Sequence, residues 1–270
     1  MKIKVNAILD GARVFLSLLI FVYASVSDIK KREVSNKVWL IMAPLAFALT
    51  TFQYIMFSPQ LLQQLQFYML SFLITAAFSV ALFYAGAFGG ADAKALMCLA
   101  LALPSYQNYL FHSSASFMSP IFSVTVFSNG VLLAAFTVVY AALRNSVWRL
   151  RTGRKLFEGF ENESTWRKFL AFFTGYKIKA SELKKGHMYP LEDIGTKETG
   201  ETERRLLVFP KDEKVEEIVE RILSAKREGQ LSNEVWATPG LPLLVFITAG
   251  LVVALVFGDL VWVLLRLILA

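Results

Sequence analysis

Long apolar runs separated by short polar breaks dominate the chain, and their lengths carry the first reading. Residues 14–26 form the apolar heart of the first run, with Asp10 and Arg13 before it and Asp28 and Lys30-Lys31-Arg32 behind it. Further runs cover 38–57, with Trp39 as an interfacial anchor and Pro44 as a kink point, then 67–88, 92–103, 121–143 and 241–269. The run at 92–103 is short and is expected to continue through Tyr106 and Tyr109 as the interface is reached. Pro239 and Pro242 open the last run, near its first turn. About 20 apolar residues cross a bilayer core as a helix, and in lipid a helix satisfies its own backbone. Six membrane helices are expected. The first is read as a retained helix, because nothing like a small-residue cleavage site precedes Asp28.

Between Arg144 and Trp236 the pattern changes to one that folds in water, with nineteen basic and sixteen acidic residues. Residues 164–174 read as an amphipathic helix with Trp166, Phe169, Leu170 and Phe173 on one face, a basic and aromatic composition that suits a membrane surface. Residues 205–209 read as a short strand. Residues 212–227 read as a helix with Val215, Ile218, Val219 and Ile222 inward, and 186–203 as a loop or weak strands. The expected fold is an all-α polytopic membrane protein of six transmembrane helices, with a small α+β soluble cytoplasmic domain inserted between helices five and six. Its divisions are 1–143, 144–237 and 238–270.

Composition agrees: 56% of the 270 residues are hydrophobic and 18% charged, far more apolar than a soluble domain of this length requires. The net charge of +7 comes without a long basic tract, so it reads as membrane topology and no nucleic-acid partner is expected. The segments after runs one, three and five hold Lys30, Lys31, Arg32, Lys37, Lys94 and the nineteen basic residues from Arg144 to Arg227. The opposite side has Lys2, Lys4, Arg13 and Arg266. The positive-inside rule therefore puts both termini outside, and Asp28, Asp92 and the polar domain in the cytoplasm. The single cysteine, Cys98, excludes disulfides within the chain and cysteine-based zinc sites.

The candidate chemistry lies in Gly89-Gly90-Ala91-Asp92-Ala93-Lys94, a small-residue turn with a carboxylate where a membrane helix begins. Acids in such positions are expensive, and the comparable one is Asp28 at the end of the first run. Each has a plain structural reading: Asp92 as a helix cap, Asp28 as an interfacial charge neutralised by Lys30 or Lys31. The pair also supports chemistry. Two carboxylates held together cannot both ionise cheaply, which leaves an acid beside a base able to activate water. A metal route lacks its ligands, since His112 and His187 are the only histidines and no His-Glu-x-x-His spacing exists. A serine route lacks a base, the two histidines falling on opposite sides of the expected membrane. Gly89, Gly90 and Ala91 leave room for another backbone to approach. Rival readings are a transporter or a non-catalytic scaffold in which these acids are structural. Asp259 reads as a helix-packing or interfacial acid, Asp10 and Arg13 as a pair on one helix face, and His112 as an ordinary loop residue.

The segments Ser27-Asp28-Ile29-Lys30-Lys31-Arg32-Glu33-Val34-Ser35-Asn36 and Gly89-Gly90-Ala91-Asp92-Ala93-Lys94 resemble the motifs of the type IV prepilin peptidase family of Gly-x-Gly-Asp aspartic proteases. The whole chain is most similar to the archaeal preflagellin peptidases within that family. The resemblance implies Asp28 and Asp92 as a catalytic dyad, Gly89 as the first motif glycine, and Lys94 as a nearby basic residue supporting substrate or dyad. Ala91 stands for the second glycine, which is expected to reduce backbone freedom before Asp92, and Ser35 for a proline often found in the first motif. The implied substrates are preflagellin or pilin-like precursors with a short basic leader, cleaved at the cytoplasmic membrane face without a cofactor. Bacterial relatives often carry a cysteine-rich domain and N-methylate the new terminus. With one cysteine, peptidase activity without methylation is expected here.

Overall fold

The computed structural model describes residues 2–105, 119–183, 187–196, 202–208, 214–229, 231 and 233–269. Tyr106, Tyr109 and His112 lie outside the described residues. The chain divides into two compact units, the first made of 1–134 with 242–270 and the second of 135–241.

The first unit is helical: α1 (Lys2–Lys31), α2 (Asn36–Phe57), α3 (Leu61–Tyr84), α4 (Gly90–Ala102), the start of α5 (Phe122–Thr152), α8 (Leu243–Phe257) and α9 (Leu260–Leu269). Its centre is α4. Beyond its first turn, which carries Asp92 and the exposed Lys94, this helix is apolar on all sides and packs against α1, α2, α3 and α8, burying Ala95, Leu96, Leu99 and Ala102. Phe21 of α1, Met42 of α2, Val126 of α5 and Ile247 and Leu251 of α8 complete the same core. The outer helices turn Phe15, Leu40, Ile41 and Leu73 outward, as helices bathed in lipid do.

Among the described residues, four helices are long and apolar enough to cross a membrane: α1 from Lys4, α2, α3 and α5. Counting the bent pair α8 and α9 as one gives five. At 13 residues α4 rises about 20 Å, short of the roughly 30 Å hydrocarbon core. The run at 241–269 is not one straight helix. It breaks after Phe257 and turns through 65°, because Gly258 adopts φ 79° and the Asp259 carboxylate, buried, accepts the Val261 and Trp262 amides and starts α9 afresh. Its second oxygen accepts Thr125 Oγ1 at 3.1 Å from α5, and Asn129 Nδ2 donates to the Gly258 carbonyl. Asp259 is thus a packing and capping acid.

Small residues set the α5–α8 crossing. A Cβ on Gly250 would lie 2.4 Å from the Val126 carbonyl oxygen and 2.7 Å from the Gly130 amide, so backbone meets backbone there. Farther along α1, Asp10 and Arg13 form a buried ion pair. Arg13 also donates to Thr50 Oγ1 and the Ala102 carbonyl, and Gln53 donates to Asp10 at 2.8 Å, so the pair ties α1 to α2 and to the end of α4.

In the second unit, α5 continues to Thr152, nine residues beyond the expected apolar limit at Leu143. There follow α6 (Thr165–Thr174), β1 (Tyr176–Lys179), a 3₁₀ turn (Ala180–Glu182), β2 (Met188–Pro190), β3 (Glu192–Thr196), β4 (Thr202–Leu206), α7 (Val215–Arg227) and β5 (Glu234–Pro239). The sheet order is β1-β5-β2, all antiparallel, with Ile178 opposite Val235 and Tyr189 opposite Thr238, while β3 and β4 form a separate hairpin. The central strand is therefore β5, a segment that reads in sequence as a lead-in to the last span. The strand expected at 205–209 lies at Thr202–Leu206, and Phe209 is outside the described residues. Within 186–203, the described parts form β2, β3 and the start of β4. Ile218, Val219 and Ile222 of α7 are buried with Ile178 and Val235, and Trp236 stacks on Phe157 at 4.8 Å. Arg204 grips the buried Glu192 with two 2.9 Å bonds.

Candidate active site

Asp28 lies in the last turn of α1, half-buried. That turn closes where Arg32 takes a left-handed conformation, φ 55°, and its amide donates to the Asp28 carbonyl at 2.9 Å. Ser27 Oγ donates to the Glu33 carbonyl at 2.8 Å, folding the basic segment back on the helix end. Ser35 then starts α2, its hydroxyl accepting the Lys37 amide at 3.4 Å. A serine at this position caps the helix it precedes. One turn upstream of Asp28, Ser25 Oγ pairs with Thr248 Oγ1 at 2.7 Å and with the Leu244 carbonyl at 3.1 Å, pinning this end of α1 to α8.

Asp92 is the third residue of α4 and is 9% exposed. Its Oδ2 accepts the Gly89 amide at 2.9 Å, which orients the carboxylate while satisfying a donor at the helix start. Gly89 has φ −74° and ψ 157°, open to any residue, and neither Gly90 nor Ala91 adopts a positive φ. The expected loss of backbone freedom from Ala91 therefore has no conformation to act on. What Gly89 supplies is space: a Cβ there would come within 3.1 Å of Asp92 Oδ2.

The packing of α1 against α4 brings Asp28 and Asp92 within Coulombic range of one another. Lys94, exposed, donates to Asn36 Oδ1 at 2.7 Å, so the first turn of α4 is tied to the first residue of α2. Asn36 was part of the first motif without an assigned role, and its partnership with Lys94 is legible only in three dimensions. The same holds for Ser25, whose one sequence signal is a hydroxyl inside an apolar run. His187 belongs to the second unit and His112 is outside the described residues.

A carboxylate fixed by a backbone amide, with a second carboxylate in electrostatic reach, is the makings of an acid–base pair. The long apolar helices define a multi-pass helical membrane protein, with these two acids at the ends of its helices. Residues 15–143 match the Type IV leader peptidase family, and residues 167–260 match the Archaeal Peptidase A24 C-terminus Type II. The chain is 29% identical over 251 residues to the preflagellin peptidase of Methanococcus voltae, covering 90% of this chain and 94% of that one. It is 22% identical over 244 residues to the preflagellin peptidase of Methanococcus maripaludis, covering 88% and 91%. To that of Methanocaldococcus jannaschii it is 24% identical over 244 residues, covering 87% and 89%. The chain belongs to the type IV leader peptidase family, and it is a protease of the aspartic type.

Proposed function

We propose that this protein removes the short basic leader of preflagellin-like precursors at the cytoplasmic face of the membrane, with Asp28 and Asp92 as its catalytic dyad. What supports the reading is that Asp92, held by the Gly89 amide at the head of α4, lies within electrostatic reach of Asp28 at the end of α1. In the reaction one carboxyl holds a proton and the other is ionised. The carboxylate takes a proton from water as the oxygen attacks the scissile carbonyl, and the carboxyl gives its proton to the departing amine. The oxygen of the water ends in the new carboxylate of the leader, and the mature subunit leaves with a free amino terminus.

The topology proposed with this function counts α4 and the α8–α9 pair as crossings, making six. The polar segment 144–237 is then cytoplasmic between the fifth and sixth, and both termini lie outside. The distribution of Lys30, Lys31, Arg32, Lys37 and Lys94 on one side and the absence of lysine and arginine from 58–66 and 104–120 on the other support it. Lys94 acts by holding the first turn of α4 to Asn36. The lipid bilayer and the precursor are the partners proposed. No cofactor enters the reaction, and no methylation step follows.

The test is cleavage of a preflagellin-like precursor by membranes containing wild type, Asp28→Asn or Asp92→Asn, with protein levels checked by blot. Asparagine keeps the size and hydrogen bonding of aspartate but does not exchange a proton in the working range. Loss of cleavage in each variant at normal abundance is the expected result. Normal cleavage by both would make the two acids structural.

A further inference from the structure

The amphipathic helix α6 faces the wrong way for a domain that folds only in water. At 100° per residue, Trp166, Phe169, Leu170 and Phe173 fall within about 100° of arc, the apolar face by sequence. Yet the residue α6 buries is Ala171, on the other side, with Phe172 beside it against the cluster of Phe160, Leu206 and Trp236. Most of the aromatic face points outward: Trp166 is 60% exposed and Phe169 54%, with Leu170 and Phe173 half-buried at its edge. The rings are ordered against one another, Trp166 to Phe169 at 5.9 Å and Phe169 to Phe173 at 4.8 Å, so they present one continuous surface. A contiguous exposed aromatic patch of this kind is a contact surface.

What covers it is indicated by α5 within the same unit. Phe136, Val139, Tyr140 and Leu143 line an exposed apolar face of α5, which Val147 and Leu150 continue among the basic Arg144, Arg149 and Arg151. Asn145, two residues after Leu143, donates to the Phe172 carbonyl at 2.8 Å and to the Gly175 carbonyl at 2.7 Å, clamping the end of α6 to α5. At 1.5 Å per residue, that clamp sits about 3 Å along the axis past Leu143 and about 8 Å before Leu150, where apolar and basic residues alternate. The headgroup layer is roughly 5–8 Å deep on each side of the hydrocarbon. Tyr140 and Arg144 mark the same level, with Arg144 over the Tyr176 ring at 3.8 Å. Charge agrees: from Phe122 to Phe157 the chain has Arg144, Arg149, Arg151, Arg154 and Lys155 and no acid. Of the acids nearer α6, Glu158 is exposed, Glu163 pairs with Arg167 at 3.3 Å and Glu161 accepts the Gly159 amide through Oε1.

We propose that α6 is an interfacial helix that seats its Trp166–Phe169–Phe173 stripe in the headgroup region of an anionic bilayer, anchoring the second unit beside the span from which it emerges. Tryptophan and phenylalanine suit that depth, one face apolar and the surroundings wet, while the α5 arginines meet lipid phosphates. The role is independent of catalysis.

The test uses the full chain with Cys98→Ala, carrying Phe169→Cys or, as a water-facing reference on α7, Glu217→Cys, each labelled with an environment-sensitive dye. Both positions are exposed, so neither change opens the core. The protein is reconstituted in phosphatidylcholine vesicles with and without phosphatidylglycerol. Lipids brominated on the acyl chain are expected to quench the label at 169 several-fold more than the label at 217, iodide in the water to do the reverse, and phosphatidylglycerol to strengthen the lipid quenching at low salt. Equal behaviour of the two labels overturns the proposal. So does self-quenching at 169 that follows protein density without lipid quenching, which would assign the stripe to a second copy. Indifference to phosphatidylglycerol overturns the anionic surface.

Discussion

Replacing Gly89 with alanine tests how the candidate site is built, because the change adds one methyl beside the proposed catalytic oxygen and alters little else. The backbone at Gly89, φ −74° and ψ 157°, accepts alanine without strain. The new Cβ would sit 3.1 Å from Asp92 Oδ2, the same oxygen that accepts the Gly89 amide at 2.9 Å. The carboxylate must shift by a few tenths of an ångström or lengthen that bond. A displacement of about 1 Å at a reacting group costs on the order of a hundredfold in rate, so a few tenths costs about tenfold, close to 1.4 kcal/mol. Alanine in place of glycine before the helix costs roughly 0.5–1 kcal/mol of stability. Gly89→Ala is thus expected to lower kcat for precursor cleavage about tenfold with KM nearly unchanged, while the melting temperature in detergent moves by only a few degrees. Gly90→Ala is the companion, since its Cβ would meet only Phe83 Cε2 at an ordinary 3.7 Å. Its rate should stay within about twofold of wild type. The reasoning fails if Gly89→Ala cleaves at the wild-type rate, or if both alanines slow cleavage equally.

The Lys94–Asn36 bond predicts that Lys94→Met and Asn36→Ala each slow cleavage by a similar factor and that the double variant is no slower than either, a non-additivity read from a double-mutant cycle. Breaking the buried Asp10–Arg13 pair with Asp10→Ala should cost roughly 3–5 kcal/mol in denaturant unfolding, and joint replacement by Asp10→Leu with Arg13→Met should cost less than that single change. Gly250→Ala should destabilise by about 1–3 kcal/mol or more, because its Cβ meets the Val126 and Gly130 backbone. Gly11→Ala, facing open space, should be neutral or stabilising by up to about 1 kcal/mol, with thermal melting separating the two.

The membrane class and the approximate helices were legible in the sequence because lipid imposes a simple rule: a helix of sufficient apolar length. That rule gave α1, α2, α3 and α5 to within a few residues in their apolar parts, and the 3.6-residue repeat gave α6 and α7. It did not give the break between α8 and α9, which depends on a buried Asp259 finding Thr125 and two amides. Nor did it give the centrality of β5, six residues with no alternation that become a middle strand only because β1 and β2 pair on either side. The two aspartates stand out in the linear pattern as acids at the ends of apolar runs, which marks them as candidates for chemistry. Their electrostatic proximity comes from the packing of α1 on α4, which no linear pattern states. Only tertiary structure decided that Gly89 matters for its missing Cβ rather than its freedom, and that α6 turns most of its aromatic face away from its own domain. Each of these depends on where separate segments meet, and a linear pattern encodes which face of an element is apolar without stating what lies against it.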